Sequence, residues 1–104
     1  MEMGTLIFDI DGTICTQEKD YSQAKPFNHI IEKINKKYDE GYIISFFTAR
    51  GSESGIDWSK VTINQLNEWQ VKYHNLYFGK PAALAYIDDR GININNWEIN
   101  IENL

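Results

Sequence analysis

Acidic residues close two hydrophobic runs of the sequence. Asp9 and Asp11 stand in Asp9-Ile10-Asp11-Gly12-Thr13, directly after the run Thr5 to Phe8, and Asp88-Asp89 follows Leu84 to Ile87. If those runs are neighbouring strands, their four carboxylates converge, with Lys80 as the nearby cation. Such a cluster requires either that some carboxyls hold protons or that a divalent cation binds. Ligands that are all oxygen select a hard ion, and Mg²⁺ is the expected one. The same arrangement solves a chemical problem. A carboxylate attacking a phosphate monoester meets a dianion, and a metal and a lysine remove that repulsion. Asp9 is the candidate nucleophile, and Asp11, two residues on, is placed to protonate the leaving group and then to activate water. Thr48 and the turn Ala49-Arg50-Gly51 behind it can give the phosphoryl oxygens a hydroxyl and backbone N–H donors.

These residues need elements that hold them in one place. The run Thr5 to Phe8 reads as a short buried strand opening into a glycine turn. Pro26 suits a first helical turn, and Phe27, Ile30, Ile31, Ile34 and Tyr38 recur at spacings of three and four before a stop at Gly41. Tyr42 to Phe47 has the continuous apolar character of a strand covered on both faces. A second helix, capped by Asp57 or Ser59 and running to about Gln70, would turn Val61, Leu66 and Trp69 inward. Leu76 to Phe78 and Leu84 to Ile87 are further strands, and Ile92 and Ile94 suggest one more. Alternating strands and helices predict an α/β, three-layer Rossmann-like domain with a mostly parallel sheet, right-handed crossovers and helices on both faces. Ligands of such sheets bind beyond the carboxyl ends of the strands, where the polar residues of this sequence fall.

Composition agrees with a single globular domain over residues 1–104. The chain is 42% hydrophobic and 24% charged. No apolar run approaches a membrane span, so no membrane partner is expected. Fifteen acidic and ten basic side chains give a formal charge of −5, which disfavours nucleic acid as a partner. The single cysteine, Cys15, forms no internal disulfide, and the amino terminus lacks a secretory pattern; the expected compartment is the cytoplasm.

Taken in order, Asp9-Ile10-Asp11-Gly12-Thr13, Thr48 after a hydrophobic strand, Lys80 and Asp88-Asp89 resemble the four motifs of the haloacid dehalogenase (HAD) superfamily of aspartate-nucleophile phosphatases. The resemblance covers almost the whole chain. It implies a HAD-like fold, Asp9 as nucleophile, Asp11 as general acid and base, and Thr48 and Lys80 as phosphate binders. It also implies Mg²⁺ held by Asp9, the backbone carbonyl of Asp11, Asp88 and Asp89, with Asp89 as a ligand or as a partner of one. Phe47-Thr48-Ala49-Arg50-Gly51, Gly79-Lys80-Pro81 and Tyr86-Ile87-Asp88-Asp89-Arg90 look like small members without a cap domain, associated with capsular polysaccharide biosynthesis. The 37 positions from Asp11 to Thr48 and the 32 from Thr48 to Lys80 leave no room for a cap. Cover for the site then falls to the flap from Ile14 to Lys25, whose Lys19, Asp20, Tyr21 and Lys25 could meet a substrate, or to a second subunit of a homo-oligomer.

The expected function is hydrolysis of a small phosphorylated substrate, a sugar phosphate foremost. A nucleotide or polynucleotide end-phosphate is the enzymatic alternative. A phosphoacceptor signalling domain, which also joins Asp, Thr, Lys and Mg²⁺ on a doubly wound sheet, is the rival of another class, although its acceptor lies on a later strand than Asp9. Some residues have plainer roles. An isolated Asp-x-Asp-Gly is an ordinary turn, and Thr48 is a good strand residue. Arg50 either binds substrate or pairs with surface acids such as Glu53 or Asp57. Arg90 suits pairing within the Asp88-Asp89 turn, and Cys15 is a small buried hydrophobe. His29 and His74 read as surface residues. Trp58, Trp69 and Trp97 read as packing, with Trp58 placed to border the site.

Overall fold

A computed structural model describes residues 3–52, 54–78 and, for the backbone, 85–87. Four short parallel strands form one sheet in the order β3-β2-β1-β4: β1 (Thr5–Asp9), β2 (Ile43–Phe47), β3 (Asn75–Tyr77) and β4 (Ala85–Ile87). The first strand is therefore central, paired Asp9 to Phe47 on one side and Phe8 to Ile87 on the other. Neighbouring β1 and β4 are the condition that convergence of the acidic strand ends requires. Lys80, Asp88, Asp89, Arg90, the Ile92 and Ile94 segment and Trp97 lie outside the described residues.

Strand β1 continues into α1 (Asn28–Asp39) and strand β2 into α2 (Ser59–Glu68). Both crossovers step the sheet the same way, from β1 to β2 to β3, so right-handed connections place both helices on one face. The core agrees. Leu6 and Phe8 of β1 and Ile44 and Phe46 of β2 share a buried cluster with Ile30, Ile31 and Ile34 of α1 and Leu66 of α2. Two of three expected layers are thus present among the described residues. The opposite face carries Ile7 and Ser45, both buried, with no described helix over them.

The helix ends differ from the expectation in detail. Pro26 does not open α1. It lies before the N-cap Phe27 and bridges antiparallel to Cys15, closing the base of the flap. The bonds Thr16 N–H to Lys25 O (2.9 Å) and Phe27 N–H to Ile14 O (2.8 Å) complete that clasp. At α2 the capping work comes from Asp57, whose Oδ1 accepts the Ser59 N–H at 2.9 Å although Trp58 is the N-cap. The buried residues of α2 are Thr62, Gln65 and Leu66, whereas Val61 and Trp69 are half-buried. At the other end of the sheet, His74 pairs with Ile44 twice: its N–H donates to the Ile44 carbonyl at 2.8 Å, and its Nδ1 accepts the Ile44 N–H at 3.0 Å.

Candidate active site

The carboxyl end of β1 delivers Asp9 and then bends sharply. Thr13 and Ile14 both donate to the Ile10 carbonyl, and Gly12 takes φ +79°, a left-handed conformation that side-chain-bearing residues avoid. This turn aims the Asp11 side chain across the sheet ends toward the loop after β2. Asp9 Oδ1 accepts the N–H of Ile10 at 2.8 Å, which fixes the carboxylate at the strand end.

Asp11 meets Arg50 in a bidentate pair. Arg50 Nε donates to Oδ2 at 2.9 Å and Nη2 to Oδ1 at 2.8 Å. The guanidinium is fully buried and the Asp11 side chain nearly so, with 14% exposed. The remaining Arg50 nitrogen, Nη1, donates to Thr62 Oγ1 at 3.1 Å and Gln65 Oε1 at 2.6 Å, and the ring of Tyr21 lies 4.8 Å from the guanidinium carbon. All three nitrogens of the buried cation, and four of its five N–H donors, thereby have partners, the condition under which burial of an ion is tolerated. Arg50 takes a partner that neither alternative named: its side chain goes inward to Asp11 and not out to Asp57, while Glu53 lies outside the described residues. Thr62 and Gln65 were invisible as site residues because polar side chains on a helix read as solvent-facing. Their one signal is the i, i+3 spacing beside Leu66, which puts them on the buried side.

Thr48 is buried at the end of β2. Its N–H donates to Tyr77 O at 2.9 Å, and its Oγ1 accepts the Arg50 N–H at 3.1 Å, leaving the hydroxyl hydrogen able to donate. Gly51 has φ +83°, and a Cβ at that position would overlap the Ile56 carbonyl. Only glycine allows that close approach. Cys15, wholly buried, points its Sγ at Ile10 O (3.6 Å) and Asp11 Oδ1 (3.7 Å). Burial first, and the Asp11 charge second, push the thiol up to about 12, so it stays protonated.

A cleft of about 440 Å³ opens beside this network. Lys19 and Tyr21 wall it from the flap, and Ala49, Gly51 and Trp58 from the loop after β2. Tyr21 and Trp58 meet edge to face, 5.0 Å apart at 90°. Of the flap residues expected near a substrate, Lys19 and Tyr21 line the cleft. Asp20 instead accepts bonds from the Ser22 N–H and hydroxyl, and those bonds hold its carboxyl below its ordinary value. The Lys25 backbone serves the flap's base, its N–H donating to Thr16 Oγ1. The described donors suited to a divalent cation are hard oxygens, the Asp9 carboxylate and the Asp11 carbonyl. No group of three or more metal-ligating side chains occurs among the described residues. No helix of the described residues is long and apolar enough to cross a membrane.

No family model and no curated protein matches this chain. Solved structures do. A crystal structure of an MCSG target from Vibrio cholerae is similar over 91% of this chain and 87% of its own, at 28% identity and a TM-score of 0.74. A structure of the Pnkp1/Rnl/Hen1 complex is similar over 96% of this chain at 20% identity and a TM-score of 0.61, and one of the Pnkp1/Rnl/Hen1 RNA repair complex over 97% at 18% and 0.59. This chain spans 34% and 32% of those two chains. The α/β fold described here is thus shared with known structures.

Proposed function

We propose that this chain is a Mg²⁺-dependent phosphate monoester hydrolase of the HAD type that acts through an aspartyl-phosphate on Asp9. The observation that carries this reading is the buried bidentate pair of Asp11 and Arg50 beside Asp9 and Thr48. A glycine turn has no need of a buried cation, whereas an acid and base that acts twice must be held in one orientation.

In the first step Asp11, having taken a proton from solvent as the substrate binds, gives it to the ester oxygen while an Asp9 carboxylate oxygen bonds to phosphorus and the bond from phosphorus to the ester oxygen breaks. In the second, Asp11 takes a proton from water as the water oxygen attacks phosphorus. The bond from Asp9 to phosphorus then breaks, releasing inorganic phosphate and the free carboxylate. Asp11 Oδ1 takes bonds from both Arg50 and the Cys15 thiol, whereas Oδ2 keeps a lone pair beyond its bond to Arg50, so orientation through one oxygen and proton transfer at the other are compatible. Thr48 and the Ala49 backbone donate to the phosphoryl oxygens, and Lys80 adds its charge. Asp9, the Asp11 carbonyl, Asp88 and Asp89 would hold Mg²⁺, which supplies charge neutralisation at the phosphoryl group. With the Asp11 carboxylate engaged by Arg50, its carbonyl is the oxygen that the resemblance assigns to this task. A small phosphometabolite is the substrate class.

The likeness to the Pnkp1 complexes favours a second reading, a nucleotide or polynucleotide end-phosphatase, against which the formal charge of −5 counts for the polynucleotide form. One screen decides between them: phosphate release from sugar phosphates, nucleotides and 3′- or 5′-phosphorylated oligonucleotides, with Mg²⁺ and with EDTA. Release from sugar phosphates that stops in EDTA supports the first reading, and release confined to oligonucleotides supports the second. Full activity in EDTA excludes the magnesium role.

A further inference from the structure

We infer that Gln65 is a positioning residue that ties the flap to the arginine orienting Asp11, so that seating of the flap and alignment of the acid are one event. The inference rests on the phosphatase reading and adds to it a residue outside the motifs of the resemblance.

A single amide makes the tie. Gln65 Nε2 donates to the Tyr21 carbonyl at 2.7 Å, and its Oε1 accepts from Arg50 Nη1 at 2.6 Å. A carbonyl can only accept and a guanidinium can only donate, so the amide has one possible orientation. Its two ends cannot be exchanged. Glutamate at this position would set oxygen against the Tyr21 carbonyl, lysine would set charge against Arg50, and leucine would leave both partners short of a bond. With Gln65 8% exposed on α2, water has little room to replace the amide.

The flap needs that tie beyond its base. The base is clasped separately, by Thr16 with Lys25 and by Cys15 with Pro26. Further out, the Tyr21 carbonyl accepts the Ala24 N–H at 3.1 Å, which closes the short 3₁₀ turn Tyr21–Gln23, and accepts Gln65 from outside that turn, while the ring lies over the Arg50 guanidinium. A flap that lifts withdraws carbonyl and ring together. Gln65 then loses the bond that held its Oε1 toward Arg50, and the guanidinium loses its cover.

Asp11 receives the effect. Arg50 gives Nε and Nη2 to its two carboxylate oxygens, so a guanidinium free to turn carries the carboxylate with it. Misplacement of a catalytic group by about 1 Å lowers a rate by up to about 10²-fold. Leaving groups separate this role from mere packing. An alkoxide is too basic to depart without the proton from Asp11, whereas p-nitrophenolate departs without one. Loss of alignment therefore falls on alkyl esters first.

The test measures kcat/KM with Mg²⁺ for p-nitrophenyl phosphate and for the alkyl ester cleaved best among sugar phosphates, nucleotides and end-phosphorylated oligonucleotides, in wild type, Gln65→Leu and Gln65→Asn. Gln65→Leu should lower the alkyl value about tenfold or more relative to the aryl value. By NMR, the Ala24 amide and the Arg50 Nε–H should exchange faster in that variant than in wild type. Gln65→Asn, polar but one methylene too short to span both partners, should move the ester ratio or the exchange rates in the same direction, and it decides the matter where the leucine variant does not fold. Equal losses on both esters in Gln65→Leu, or an unchanged ratio with full activity, overturn the positioning role. Unchanged exchange at Ala24 in that variant overturns the tie to the flap. A wild type that cleaves neither ester fails the phosphatase reading, whereas exchange rates untouched in both variants fail this inference alone.

Discussion

The two ends of the sheet carry ion pairs of the same 2.8 Å length in opposite settings. At the carboxyl end, Arg50 and Asp11 are buried together, joined to Thr62 and Gln65 and covered by Tyr21. Away from that end, Lys72 meets Asp39 with the two side chains 48% and 59% exposed. An exposed pair contributes about 0–1 kcal/mol, because water already solvates both charges. A buried pair adds little net stability, yet losing one partner leaves a charge stranded in a medium that cannot solvate it. Distance alone thus says nothing about importance. What distinguishes the Arg50 pair is that its guanidinium is dry and each of its nitrogens is partnered, as expected where geometry must be held for chemistry.

The sharpest way to break this contrast is to delete each cation. Arg50→Met should lower unfolding stability by about 3–5 kcal/mol in urea melts, and Arg50→Lys should not restore it, since an ammonium cannot make the planar fork. A loss below about 1 kcal/mol would place the Arg50 pair in the same class as the surface pair. Next in size is Asp9→Asn, which keeps an oxygen for the Ile10 N–H. It should leave stability near wild type while phosphate release falls more than about 10²-fold. Retained turnover would remove Asp9 as nucleophile.

Alkaline pH gives a smaller effect confined to the same end. The Cys15 thiol ionises at about 12 in the folded chain against an ordinary 9.0, so the folded state keeps a proton that the unfolded state loses. Stability from this group is complete below pH 9. It declines above it by about 1.4 kcal/mol per unit until the folded thiol ionises. Cys15→Ala should flatten that slope in melts at pH 9 to 10.5, and an unchanged slope would assign it elsewhere. The smallest effect belongs to the other ion pair: Lys72→Ala should shift stability by less than about 1 kcal/mol.

Legibility in the sequence follows the same division. Ile30, Ile31 and Ile34 announced α1 because a buried apolar stripe must recur with the helical period, and the runs around Phe8 and Phe46 announced β1 and β2 for the equivalent reason. Asp9, Asp11 and Thr48 were legible because acids and a hydroxyl at strand ends are few. The partner of Asp11 was not. Arg50 lies 39 positions away, and pairing at that range depends on a fold that brings two strand ends together. Thr62 and Gln65 were hidden because a polar residue buried to satisfy a cation looks, in sequence, like one facing water. Pro26 misled because its fixed φ suits a helix start and a bridging strand alike.

His74 shows what such concealment can mean for the sheet itself. By accepting the Ile44 N–H on Nδ1, an imidazole takes the place of a peptide carbonyl, and the hydrogen of the neutral ring must then reside on Nε2. The seam between β2 and β3 is thus written partly in a side chain, stacked 4.5 Å from Tyr38. Removing that ring should loosen this strand edge before the central pair, so in His74→Ala the Ile44 amide should exchange faster than its neighbours in β1.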